Sequence, residues 1–303
     1  VFFFVPCGEV NFLRFLSRVS RRSSYFTLSI AATCSLLSAT CYAAGWQSTV
    51  SKEPPGNFPT PRSVRAAYRF GWAGLTAATA DVHFSETPDN RFQLEATGRT
   101  IGLARLLWKL DVNYRSFANA ATLRPIEVNQ TESYRSKKLF THLFFNSAGV
   151  KSKRVEWPNA AKSKTREFNF SNLFDMHSAL LYLRSQPLTN GSVYRVVVYP
   201  ATSAYLATLT VTGREKIAIR LGTYNAIKLD LRLQKVGKHF ELEPHRKFRR
   251  ATIWVSDDAY RLPLRAEAQI FIGTVFGELQ SARPQLQKAQ PDPAASSTHQ
   301  GQP

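Results

Sequence analysis

Residues Asn172 to Gly191 read NLFDMHSALLYLRSQPLTNG, and this stretch decides the fold. Met176, Leu180 and Leu183 recur at helical spacing, and Phe174 and Leu181 widen the apolar stripe. Asp175, Ser178, Tyr182 and Ser185 fall together on the other side. Asp175 suits the positive end of a helix dipole and Arg184 the negative end. Pro187 and then Asn190-Gly191 stop the helix and turn the chain. The spacing predicts one main helix over 173–185.

Outward from it, the chain reads as strands. Ala78, Ala80, Val82 and Phe84 alternate with Thr79, Asp81, His83 and Ser85, and Phe92, Leu94 and Ala96 alternate after a Pro88-Asp89-Asn90 turn. IGLARLLWKL (Ile101–Leu110) interrupts this pattern as a short apolar helix or turn. Strand patterns resume near 112–117, 126–134, 139–145 and 150–157, the last two joined by Asn146-Ser147-Ala148-Gly149. A basic loop at 160–166 leads to the helix. Beyond it come strands near 193–199, 206–212, 224–233, 251–255 and 262–272. A sheet with one apolar face needs a cover, which the helix supplies. The expected fold is all-β and mainly antiparallel: a strongly curved sheet or open β-barrel of about a dozen strands under one covering helix.

The 303-residue chain can bury a real core, and 44% hydrophobic and 12% aromatic residues are globular values. Arg14, Arg18, Arg21 and Arg22 precede an uncharged run, Tyr25 to Ala43, that ends in Cys41-Tyr42-Ala43. This is the pattern of an export signal cleaved near Ala43 or Ala44. A retained anchor, a lipoprotein signal at Cys41 and an organelle transit peptide fit less well. Since the first residue is Val and the only methionine is Met176, an alternative start codon is expected. The expected organisation is a signal peptide over 1–44, a Pro-rich tether over 45–62, one β-rich domain over 63–280 and a disordered polar tail over 281–303. Cys7, Cys34 and Cys41 all lie in the leader, so the remainder offers no disulfide, thiolate nucleophile or cysteine metal site. The net charge is +19, of which about +16 lies outside the leader.

The run FDMHSALLYLRSQPLTNGSVYRVVVY resembles the helix-to-strand signature of an exported bacterial family, domain of unknown function 3108. Thr212-Gly213-Arg214-Glu215 followed by Leu221-Gly222-Thr223-Tyr224-Asn225-Ala226 resembles its paired strands and turn. Trp254-Val255-Ser256-Asp257-Asp258, then Arg261-Leu262-Pro263, resembles its tryptophan strand and proline-led hairpin, and Gly273 to Leu279 its closing run. The resemblance is close over 170–280 and looser over 64–157. It implies an exported antiparallel domain and brings no catalytic residues with it.

Asp175, His177 and Ser178 are too close along one helix to form a relay among themselves. His239, Glu241, Glu243 and His245 match no zinc spacing and read as a charged hairpin, while Asp257-Asp258 reads as a turn. With no phosphate-cradling loop or nucleophile elbow, neither catalysis nor a cofactor is expected. Two features point to binding instead. Phe144, Phe170, Phe174, His177, Leu180 and Leu181 gather around the helix and are the expected ligand pocket. Lys151, Lys153 and Arg154, with Lys162, Lys164 and Arg166 nearby, and Arg246, Lys247, Arg249 and Arg250 are the expected patches for an anionic partner. Behind an export signal that partner is a lipid or an anionic envelope polymer rather than nucleic acid. The expected function is non-catalytic binding of a lipid-like envelope molecule in the periplasm. The alternative is a structural module that docks an envelope protein.

Overall fold

The computed structural model describes residues 45–56, 62–245, 250–270, 273–284, 286 and 288. The leader, the cysteines and Arg246, Lys247 and Arg249 lie outside the described residues. The first half is a meander of β1 (Val64–Trp72), β2 (Leu75–Thr87), β3 (Arg91–Thr100), β4 (Leu110–Asn119), β5 (Pro125–Tyr134), β6 (Lys138–Asn146), β7 (Gly149–Trp157) and β8 (Lys164–Asn169). Helix α1 (Gly102–Leu107) interrupts it between β3 and β4. A two-residue strand, β9 (Leu173–Phe174), precedes the main helix, α2 (Met176–Ser185). Then follow β10 (Val193–Val198), β11 (Ala204–Ile219), β12 (Gly222–Val236), β13 (Leu242–Pro244), β14 (Arg250–Ser256), β15 (Pro263–Ile270) and β16 (Gly273–Arg283).

All sixteen strands join one sheet, in the order β8 to β1, then β16, β15, β14, β12, β11, β10 and β9, with β13 beside β12. Each pairing is antiparallel except β9 with β10. The halves meet where β1 pairs β16, from Arg65 opposite Arg283 to Trp72 opposite Val275. Turn chemistry sets several of the hairpins. The Asn146 side chain accepts from the amides of Ala148 and Gly149, both at 2.9 Å, and closes the β6–β7 turn as its sequence predicts. The acidic turn holds too: Asp258 accepts from the Tyr260 amide at 2.9 Å and the Arg261 amide at 3.1 Å. Gly213, at φ 155°, sits in a bulge of β11 that side chains rarely tolerate.

The expected strongly curved sheet or open barrel is corrected by this topology. The path ends at β8 and β9, which share no backbone ladder, so the sheet is open and not a barrel. β9 has only two residues to offer, and β8 (KTREFN) is a charged, largely exposed edge of the kind that resists further pairing. Side-chain packing and isolated bonds, not a ladder, tie that end of the meander to the β10–β11 connection: Val150 and Phe168 pack with Tyr199, Ala204 and Leu206. Ser152 Oγ donates to the Ala201 carbonyl at 2.7 Å, and Arg166 to that of Thr202 at 2.8 Å.

The helix is a buried strut between the halves of the sheet. Ala179, Tyr182 and Leu183 pack with Val196, Leu209, Ile227, Leu229 and Ile253 of the second half. Leu181 packs with Val64, Phe84 and Phe92 of the first half and with Leu279 of β16. The predicted polar side therefore does not face water: Ser178, Tyr182 and Ser185 are buried, whereas Met176 and Leu180 are half-buried. Residues 45–56, expected as part of a tether, run along this helix and β10. The Ser51 amide donates to the Arg195 carbonyl at 2.8 Å, the Gly56 amide to Ser185 Oγ at 3.0 Å, and Gln186 to the Pro54 carbonyl at 3.1 Å.

Candidate functional site

At the start of α2, Asp175 is fully buried and forms a capping box with Ser178. Its Oδ1 accepts from the Ser178 amide at 2.7 Å, and the Ser178 hydroxyl accepts from the Asp175 amide at 3.0 Å. The other carboxylate oxygen faces β4. Tyr114 donates to Oδ2 at 2.9 Å and Ser116 at 2.5 Å. Ser116 Oγ also lies 3.2 Å from His177 Nδ1. Because the single Ser116 proton goes to the carboxylate, the contact with His177 is satisfied by Nδ1–H donating to Ser116. Nε2 is then a bare acceptor, and this buried atom has no hydrogen-bond partner among the described residues. Burial pushes the imidazole pKa down from 6.5 to about 4, so His177 is neutral at pH 7. The Phe84 ring meets it edge-on, with centroids 5.6 Å apart. Serine, histidine and aspartate thus do come together, with the serine supplied by β4 rather than by the helix. The group is sealed from solvent, and Asp175 is committed to the helix cap.

Arg184, two turns along the same face, is also buried, its guanidinium 5.8 Å from the Phe84 ring centroid. Burial lowers its pKa to about 10, opposed by the nearby Tyr68 and Asp258. The C-terminal carbonyls of the helix are covered by Arg261, which donates to the carbonyls of Arg184 at 2.9 Å, Gln186 and Pro187.

A half-open cleft of about 490 Å3 lies just before β9, between the β4–β5 and β6–β7 turns. Leu173 and Phe145, both buried, are its apolar part, and Asn146, Ser147, Ser171 and Asn172 are its polar part. Pro125 and two cations, Lys52 and Arg124, complete the lining. The Arg124 guanidinium stacks 4.4 Å from the Phe174 ring centroid and donates to the Asn172 side chain. Burial depresses its pKa. Among the described residues no carboxylate pairs with it.

The expected pocket residues are dispersed. Phe174 and Leu181 are buried in different packing clusters, and His177 belongs to the polar group above. Leu180 is half-buried. Phe170 stacks on Trp46 at 5.7 Å, under the 45–56 segment. Phe144 is 50% exposed on the outer face of β6. Of the six, only Phe174 touches the cleft region, through Arg124. The expected basic patch is partly neutralised: Lys151 pairs with Glu167 at 3.3 Å and Arg154 with buried Glu132 at 3.0 Å, while Lys153 is exposed between them. Arg250 pairs with Asp230 on β12, away from the β7 lysines. Among the described residues no group of His, Asp and Glu is placed to hold a metal ion. In the 239–245 hairpin, Glu243 pairs with Lys235 at 3.1 Å and the His245 ring lies 5.4 Å from that of Tyr205.

No curated protein matches the chain. Among solved structures it is similar to a beta-barrel-like protein of DUF1849 from Brucella abortus, with a TM-score of 0.51 and 10% identity over 74% of this chain and 98% of that one. It also aligns with a DUF1089 family protein from Pseudomonas aeruginosa, at a TM-score of 0.31 and 11% identity over 64% and 93% of the two chains. The first likeness concerns the fold alone, and the second is too low to carry an argument. The family described as "Protein of unknown function (DUF3108)" matches residues 67–280, which take in nearly all of the sheet and both helices, and the chain belongs to that family.

Proposed function

We propose that the protein is an exported cell-envelope protein that binds, without catalysis, an anionic molecule bearing an apolar chain. The leader pattern over 1–44 supports export. The observation that carries the binding reading is Arg124. A half-buried guanidinium with no carboxylate partner keeps its charge at a cost that an incoming anion offsets. In the cleft, Lys52 adds a second positive charge, the Asn146 and Asn172 amides add hydrogen-bonding groups, and Leu173 and Phe145 offer an apolar floor. The ligand lies beside the foot of α2 rather than beneath it, because the space under the helix is filled by Leu181 and its neighbours.

Calorimetric titration with dodecyl phosphate and with dodecanol tests this reading. Dodecyl phosphate is expected to bind at least about tenfold more tightly than the alcohol, and to lose at least about tenfold in affinity in Arg124→Met, roughly 1.4 kcal/mol. Equal affinity of parent and variant, with the fold intact by circular dichroism, overturns it.

A further inference from the structure

Helix α1 is turned inside out. Leu103, Leu106 and Leu107 share one face at i, i+3 and i+4, the spacing that normally meets a core, yet they are 70–79% exposed. The orientation is set from the polar side. On the face opposite the leucines, Arg105 bonds the partly exposed Asp111 carboxylate at 2.8 and 3.1 Å and the Thr100 carbonyl at 3.3 Å. Arg135, on the β5–β6 turn, donates to the Leu106 carbonyl at 2.9 Å. These bonds hold the leucines outward. Apolar side chains this exposed and this close together mark an interaction surface.

The same end of the sheet carries more apolar surface. Leu75, 71% exposed, sits at the tip of the β1–β2 hairpin, and exposed Trp157 ends β7 opposite Lys138. At the strand ends that bear α1 and its neighbours stand the exposed cations Arg99, Lys109, Arg135 and Lys138. The nearby acids are already engaged: Asp111 by Arg105, and Glu156 by Lys137 and Lys162. This end lies opposite the cleft, whose wall is formed by the β6–β7 turn.

We propose that this end docks on an anionic phospholipid surface, with the α1 leucines and Leu75 entering the acyl boundary and the cations behind them at phosphate level. Apolar tips projecting from a short helix and a hairpin, rather than lining a groove, fit a penetrable surface, and the surrounding positive charge selects an anionic one. The proposal does not depend on the cleft.

The test is sedimentation of the full chain with vesicles of phosphatidylcholine alone or with one third phosphatidylglycerol. The parent is compared with Leu103→Ser/Leu106→Ser/Leu107→Ser and with Lys109→Glu/Lys138→Glu, which leaves the Arg105 and Arg135 bonds to α1 in place, so that any contribution of the leader is common to all three. The expected result is a partition coefficient at least tenfold higher on the anionic vesicles, reduced at least tenfold by either variant. The altered side chains are exposed, and an unchanged thermal transition in the leucine variant establishes that its fold is intact. Equal partitioning of parent and leucine variant overturns the proposal. So does a concentration-dependent dimer that the leucine variant abolishes while vesicle binding stays the same, since a second copy would then be the occupant.

Discussion

Arg261 donates its guanidinium to the main-chain carbonyl of Arg184 at 2.9 Å, so a strand-turn residue caps a helix 77 positions earlier in the chain. Helix ends leave carbonyls unsatisfied, and burying them without a donor is costly. Here the cap comes from the Asp257–Asp258 turn, whose Asp258 carboxylate accepts from the Arg261 amide at 3.1 Å. Arg261→Ala is therefore expected to destabilise the protein by about 1.5–3 kcal/mol, the range for hydrogen bonds involving a charged group. Urea unfolding checks this: the midpoint should fall while the slope stays constant. A loss below 0.5 kcal/mol would mean that water replaces the cap.

His177 makes stability depend on pH. Its folded pKa is about 4, against 6.5 for the free side chain, because burial disfavours the charged ring. Between these values the unfolded chain binds a proton that the folded chain does not. Stability therefore falls as pH drops from 6.5 to 4, by about 3 kcal/mol from this residue. His177→Asn retains a donor for Ser116 and removes the titration. Unfolding free energies at pH 7 and pH 4.5 should differ less in the variant than in the parent, and equal differences would remove His177 as the cause.

Local chemistry was legible in the sequence, whereas encounters between distant segments were not. The Asn146–Gly149 and Asp257–Asp258 turns follow from side chains bonding to amides two or three residues away. The helix was legible as a helix, but its surroundings depend on β1 pairing with β16 across some two hundred residues, which periodicity does not encode. In KLFTHLFFN both sets of alternating positions are apolar. Leu139, Leu143 and Phe145 point inward and Phe140 and Phe144 outward, so the expected pocket residue Phe144 lies on the face away from the core. The leucines of α1 carry the pattern of a buried stripe, and the ties of Arg105 to Asp111 and Thr100 and of Arg135 to the Leu106 carbonyl reverse it. Lys52, Arg124 and Asn172 meet in the cleft from three separate segments, and no motif joins them.

The buried carboxylate of Asp175 depends on two hydroxyls from one strand. Tyr114 and Ser116 both donate to Oδ2, at 2.9 and 2.5 Å. Tyr114→Phe and Ser116→Ala should each cost about 1–3 kcal/mol by leaving a buried anion short of a donor. The two losses should not add, because they share one acceptor. A double-mutant cycle on thermal or urea unfolding reads the coupling. Strict additivity would show that the two bonds act independently.

Glu278 ties the seam between the halves of the sheet. Its carboxylate, 1% exposed on β16, accepts from Arg69 of β1 at 2.8 Å and from Arg265 of β15 at 3.1 Å. Arg69 also lies over the Phe276 ring, 4.9 Å from its centroid, which keeps its charge against the sheet when the acid is lost. Removing only the acid leaves that guanidinium largely desolvated without a counter-ion, so Glu278→Leu should cost about 3–5 kcal/mol. Removing both charges in Arg69→Met/Glu278→Leu should recover much of the loss, because an apolar pair replaces a buried ion pair at little cost. Urea unfolding of the parent, the two single variants and the double variant decides it. A double variant no more stable than Glu278→Leu would show that the seam requires the carboxylate itself, through Arg265, and not merely the neutralisation of Arg69.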